Sequence, residues 1–251
     1  LIAAQYLDFT EPYSDNFFNG AKEACRYLEE NYYGQYPPHE ATVDCVGHTH
    51  IDVAWMWTYA QTKEKVQRSF STVVELMKRY PEYRFTISQP QLLEYLKEES
   101  PEIYDEIKKL VKEGRIDIEG AMWVEADCNL PSGESLIRQI IWGKKFIKDE
   151  FCTDSKVLWL PDVFGYSAAM PQILSKTGID KFVTSKIGWN EFNQIPYDLF
   201  KWVGADGTEV STHFMTCQDK SWDNKRVTSY VGQITPDYVL GTWERQQQKE
   251  Y

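Results

Sequence analysis

Short apolar runs alternate with long amphipathic stretches through most of this chain, and that alternation leaves few folds open. Thr42–Val46, Phe85–Ser88, Ile116–Glu119, Val157–Leu160 and Lys181–Thr184 have the length and composition of strands. Helices are expected in the gaps. Glu64 to Lys78 carries Val66, Phe70, Val73, Val74 and Met77 on one face, Ser100-Pro101 pairs a cap with a first-turn proline, and Gly114 and Gly178 stand where helices should stop. Strand followed by helix, repeated, implies an α/β fold with a parallel sheet, either open and doubly wound or closed as a barrel. In both, functional groups gather at the carboxyl ends of the strands. After Tyr197 the pattern changes: Leu199–Val203, a turn at Ala205-Asp206-Gly207 and Glu209–Phe214 predict a hairpin. Before the alternation begins, Phe17, Phe18, Ala21, Cys25 and Leu28 recur at helical spacing and Tyr36-Pro37-Pro38 reads as a linker. The organisation expected is therefore an entry helix and linker over 1–40 and one α/β domain over 41–251.

Composition removes several classes of function. A formal net charge of -11 argues against a phosphate-backbone binder, which needs clustered Lys and Arg, so nucleic acid is not an expected partner. No apolar run approaches the roughly 20 residues of a membrane-spanning helix, and no membrane association is expected. The five cysteines, Cys25, Cys45, Cys128, Cys152 and Cys217, are odd in number and contain no CxxC pair. They suggest neither a disulfide framework nor a thiolate metal site, and a reducing, cytoplasmic setting fits them. The chain opens on Leu1 rather than Met, as a piece of a longer protein would.

The chemistry is expected at the strand ends. Gly47-His48-Thr49-His50-Ile51-Asp52 spaces two histidines and a carboxylate by two, so in extended backbone they share a face. Imidazole and carboxylate converging in this way make an N/O ligand set suited to zinc or another borderline divalent ion. Simple hydrogen bonding is the alternative, but half of the chain's four histidines fall here, which favours the metal. His39, in the linker, and His213, in the hairpin, lie outside this cluster. The fourth strand ends in Pro161-Asp162-Val163-Phe164-Gly165-Tyr166-Ser167, where Asp162 could be nucleophile, ligand or general base, or could cap a helix starting near Ser167. The third ends in Trp123-Val124-Glu125-Ala126-Asp127-Cys128-Asn129. There Trp123 and Glu125 suit a sugar site, aromatic against the ring and acid on the hydroxyls, although a solvated loop has the same composition. Gln89, ending the second strand, reads as structural before it reads as a ligand. Lys186 and Trp189 end the fifth.

Taken together, His48-Thr49-His50-Ile51-Asp52-Val53-Ala54-Trp55, then Trp123-Val124-Glu125 with Asn129-Leu130-Pro131-Ser132-Gly133-Glu134, then Trp159-Leu160-Pro161-Asp162-Val163-Phe164-Gly165-Tyr166-Ser167 resemble, in order, the motifs of glycoside hydrolase family 38, the α-mannosidases, in its cytosolic and bacterial branch. The resemblance implies a (β/α)7 barrel, incomplete on its C-terminal side here. It also implies one zinc ion held by His50, Asp52, Asp162 and a later histidine, with Asp162 doubling as the nucleophile of a retaining reaction on an α-mannoside. The fourth ligand and the general acid are expected beyond Tyr251. Trp55 would pack against the sugar at the metal, Phe164 would line the same pocket, and Lys186 would be a cationic substrate-binding residue. Zinc would serve as a template for the sugar's hydroxyls. Two other readings are a metal-dependent deacetylase-type hydrolase, which needs a third ligand within the chain, and a carbohydrate-binding module without catalysis. An incomplete barrel would leave a sheet edge open, so homo-oligomer formation is a further expectation.

Overall fold

The computed structural model describes residues 2–33, 46–186, 192 and 197–215. The chain divides into two compact units, Leu1–Cys45 and Val46–Tyr251. In the first, a short 3-10 turn at Ala3–Tyr6 precedes helix α1, Asp15–Asn31. Ser14 caps that helix by accepting from the Phe17 N–H at 3.2 Å. This is the expected entry helix, while the linker and His39 lie outside the described residues.

The second unit runs β1 (Gly47–His48), α2 (Tyr59–Arg79), β2 (Phe85–Ile87), α3 (Pro90–Glu99), α4 (Pro101–Lys112), β3 (Ile116–Ile118), α5 (Gly133–Phe151), β4 (Val157–Leu160), α6 (Met170–Lys176), β5 (Lys181–Thr184), β6 (Leu199–Val203) and β7 (Glu209–Phe214). Its local signals are those of the sequence. Helix α2 starts earlier than its apolar stripe because Thr58 and Gln61 form a capping box, and it buries Val66, Phe70, Val73, Val74 and Met77. Pro90 and Pro101 occupy first-turn positions, where a missing N–H costs nothing. Just beyond α4 and α6, Gly114 and Gly178 take the left-handed conformation at φ 68° and 76°.

Strands β1, β2 and β3 pair in parallel and in sequence order. A second sheet has the order β4-β5-β7-β6; β4, β5 and β7 are parallel, and β6 lies antiparallel on the edge as the expected hairpin partner of β7. The order never reverses, so the doubly wound alternative, which requires a switch point, does not describe these strands. Nor is there a closed barrel among the described residues. The (β/α)7 expectation is met only as a mixed α/β fold with parallel sheets, because β7 turns its free edge to the antiparallel β6. Of the expected first strand, Thr42–Cys45 lie outside the described residues; the described strand here is Gly47–His48.

The two sheets meet at a seam between β3 and β4. Gly120 N–H donates to the Val157 carbonyl at 3.0 Å. The Glu119 carboxylate accepts from the Lys156 and Val157 N–H groups at 3.1 Å each and from Ser155 Oγ at 2.7 Å. A side chain thus supplies acceptors where a longer ladder would have supplied carbonyls. Two apolar clusters form the core. One packs β2 and β3 against α2, α3 and α4; the other packs β4 and β5 against α6. Helix α5 serves both, giving Leu136 and Ile140 to the second and Ile147 and Phe151 to the first.

Candidate active site

His48 and His50, two residues apart, do different work. His48 lies in β1, where its Nδ1–H donates to the Thr86 carbonyl at 2.9 Å and its Nε2 accepts from the Trp159 indole N–H at 3.2 Å. Both nitrogens are used and the tautomer is set, so His48 is a bridge between β1, β2 and β4. Burial holds its pKa below the usual histidine value, in keeping with a neutral ring.

His50 follows the strand and turns the other way. Its Nε2 lies 3.3 Å from Asp52 Oδ1 and 3.6 Å from Asp162 Oδ2. One ligand atom from each of His50, Asp52 and Asp162 falls within 4.8 Å of the others. Tetrahedral zinc with bonds of about 2.0–2.1 Å separates its ligand atoms by about 3.3 Å, so the two shorter spacings fit a shared cation. Charge points the same way. Asp52, Asp162 and Glu125 converge on His50, and Lys186 Nζ, 2.8 Å from Asp162 Oδ1, is the lysine that joins them. Burial favours the neutral imidazole, but the Glu125 hydrogen bond and the charges of Glu125, Asp162 and Asp52 outweigh it and push His50 up to about 9. Without a cation, the site takes up a proton.

Asp162 sits on the turn after β4, and that turn is pinned through its backbone. The Tyr166 hydroxyl donates to the Val163 carbonyl at 2.5 Å, with the Leu160 carbonyl at 3.2 Å, and Ser185 Oγ donates to the Pro161 carbonyl at 2.5 Å. The alternative role for Asp162, as a helix cap, is not what is found: α6 begins at Met170 with no side-chain cap. Lys186, expected on a substrate, stands in ion-pair contact with Asp162.

The remaining expected residues divide. Trp55 is 64% exposed and Phe164 77% exposed, each on the same loop as a member of the cluster. Trp123 turns toward α5: its indole N–H donates to Gln91 Oε1 at 2.9 Å, its ring meets Phe146 edge-on, and it lines a cleft with Ser135, Arg138, Gln139 and Trp142. Glu125, expected on sugar hydroxyls, is only 3% exposed at its side chain. It holds His50 Nδ1 at 2.9 Å with one oxygen and accepts from Ser88 Oγ at 2.9 Å with the other. Asp127 accepts from the Asn129 and Leu130 N–H groups and so shapes its own turn. His213 is exposed on β7 and is not among the clustered ligand atoms. Sequence reasoning passed over Ser88, Tyr166 and Ser185; a hydroxyl next to a strand-end carboxylate or at a strand end was the available signal.

Comparison with known families decides what kind of chain this is. Residues 40–251 match the model described as the glycosyl hydrolases family 38 N-terminal domain. The chain belongs to glycosyl hydrolase family 38. This family 38 chain is 47% identical over 175 residues to "Alpha-mannosidase G" of Dictyostelium discoideum, covering 70% of the chain and 16% of that protein. It is 44% identical over 169 residues to "Alpha-mannosidase" of Saccharomyces cerevisiae, covering 67% and 16%, and 42% identical over 188 residues to human "Alpha-mannosidase 2C1", covering 74% and 18%. It therefore spans less than a fifth of the length of these relatives. Among solved structures, "The crystal structure of an alpha-mannosidase from Enterococcus faecalis V583" superposes with a TM-score of 0.62 at 20% identity, covering 81% of this chain and 22% of that one, a likeness of fold.

Proposed function

We propose that this chain is part of the catalytic domain of a zinc-dependent retaining α-mannosidase, which hydrolyses terminal α-mannosyl residues through a glycosyl-enzyme intermediate. The observation that carries the reading is the cluster itself: in a family 38 chain, side chains following β1 and β4 bring an imidazole and two carboxylates within ligand distance of one another. The relatives' names supply the substrate class. His50, Asp52 and Asp162 would hold the ion, which when bound would supply a positive template for vicinal sugar hydroxyls.

The chain's own residues do the rest. Asp162 attacks the anomeric carbon as the glycosidic C–O bond breaks, and the glycosyl ester so formed is later opened by water. Lys186, on the other oxygen of the same carboxylate, orients Asp162 for that attack. The exposed rings of Trp55 and Phe164 offer apolar faces to the sugar. Asp52 is assigned to the metal and Glu125 stands behind His50; the acid that protonates the leaving oxygen is, by the resemblance to family 38, expected outside this cluster. A cytoplasmic location goes with this reading, on the unpatterned cysteines. No described helix is long and apolar enough to cross a membrane.

The test uses a leaving group that needs no acid. With zinc present, a fluorinated mannosyl fluoride is expected to label the chain on the peptide carrying Asp162, as read by mass spectrometry, and Asp162→Asn is expected to abolish labelling. A label on another carboxylate, or none on the zinc-loaded chain, overturns the assignment.

A further inference from the structure

We infer that Glu125 and Gln89 are positioning residues that aim the His50 imidazole at the metal, rather than groups that meet the sugar; the inference rests on the metal reading above. The geometry is specific. An imidazole that binds a metal through Nε2 must present Nδ1–H to an acceptor, and that acceptor sets both tautomer and ring rotation. His50 Nδ1 lies 2.9 Å from Glu125 Oε2 while Nε2 faces Asp52 and Asp162. His50 Nδ1 and Glu125 Oε2 are both buried, and among the described residues neither hydrogen-bonds to any group outside this 2.9 Å contact. The other carboxylate oxygen is held by Ser88 Oγ, which fixes the plane of the Glu125 head group.

Gln89 makes the arrangement rigid. This side chain, 2% exposed, gives its amide N–H to the Ile51 carbonyl at 2.9 Å and takes the Glu125 N–H on its amide oxygen at 3.1 Å. Ile51 is the residue between the two proposed ligands His50 and Asp52. One amide therefore locks the loop that carries both ligands to the backbone of the residue that orients one of them. The backbone allows this approach because Gly120 adopts φ 120°, and a Cβ there would meet the Ser88 carbonyl at 2.3 Å.

The test is zinc affinity of the chain, measured by competition with a chromophoric chelator, for the wild type and Glu125→Gln, together with the ring 15N resonances of His50 and the melting midpoint of the metal-free forms. Glu125→Gln keeps the shape and one acceptor oxygen but removes the charge and turns the other oxygen into a donor. It is expected to weaken zinc about 10- to 100-fold and to move the His50 Nδ1 resonance, while the metal-free midpoint reports how much of the loss is stability rather than aim. If that variant melts early, Ser88→Ala carries the test, since it frees one oxygen of an intact Glu125 and should weaken zinc in the same direction. Wild-type affinity in the folded variants, with an unmoved His50 resonance, overturns the positioning role alone. A wild-type chain that binds no zinc overturns the metal reading and the positioning role with it.

Discussion

His50 Nε2 stands 3.6 Å from Asp162 Oδ2 although one residue follows β1 and the other follows β4, in a different sheet. Zinc binding should therefore depend on both. His50→Ala and Asp162→Ala are each expected to weaken zinc at least tenfold in equilibrium dialysis, and His48→Gln, whose ring is engaged elsewhere, is expected to weaken it far less. Binding indifferent to Asp162 would separate the two loops and favour a different hydrolase or a binding module.

The turn carrying Asp162 hangs on hydroxyl groups. Tyr166→Phe removes the donor to the Val163 carbonyl and leaves buried acceptors unmatched, and is expected to cost about 1–3 kcal/mol in urea unfolding. The same variant should slow labelling at Asp162 by the fluorinated sugar. Loss of stability with labelling unchanged would make Tyr166 a purely structural residue.

Phe70, 1% exposed on α2, meets Phe85 of β2 edge-on within the first apolar cluster. Phe70→Ala should cost about 3–5 kcal/mol, because the surrounding cluster relaxes only partly into the vacated space. A cost below about 1 kcal/mol in a denaturant melt would show that this cluster is not the packed core described.

Glu150 of α5 gathers Lys97 of α3 and both Tyr104 and Lys108 of α4, at 2.8, 2.9 and 3.3 Å. The Lys97 hydrogen bond, helped by Tyr104 and Lys108 and opposed by burial, pulls its pKa down to about 2. A depressed carboxylate stabilises the fold above its unfolded value, about 4.3, and that contribution is lost as pH falls toward 2. The gap in melting midpoint between wild type and Glu150→Gln should accordingly be constant near neutrality and close between pH 4.5 and 2. A gap independent of pH would mean that the carboxylate's charge is not what joins these helices.

Much of this was legible in the residues. Strands announced themselves as short apolar runs because their faces are buried, and α2 did so through a stripe from Val66 to Met77 that only a helix places on one side. The spacing of His50 and Asp52 marked a ligand pair, whereas the position of Asp162 left nucleophile, ligand, base and helix cap all open, and it was the family 38 motif that joined it to them. What stayed hidden was long-range. Whether Glu125 faces sugar or histidine depends on the approach of Ser88 to Gly120 and on a glutamine reaching across to Ile51, and no local pattern encodes either. Closure of a barrel is likewise a property of distant edges.

The seam between β3 and β4 carries a consequence for folding as well as for chemistry. The sheets on either side are tied by the Glu119 carboxylate, by the Gly120 amide, by the His48 to Trp159 bridge and, beyond the strand ends, by the Ser167 N–H on the Cys128 carbonyl, with α5 packed against both. A cation shared by His50, Asp52 and Asp162 would be a rivet across that joint, added from outside the polypeptide. Every increment of metal affinity would then appear as mechanical coherence between the two halves, and chelation would loosen the molecule along this line before it unfolded either core.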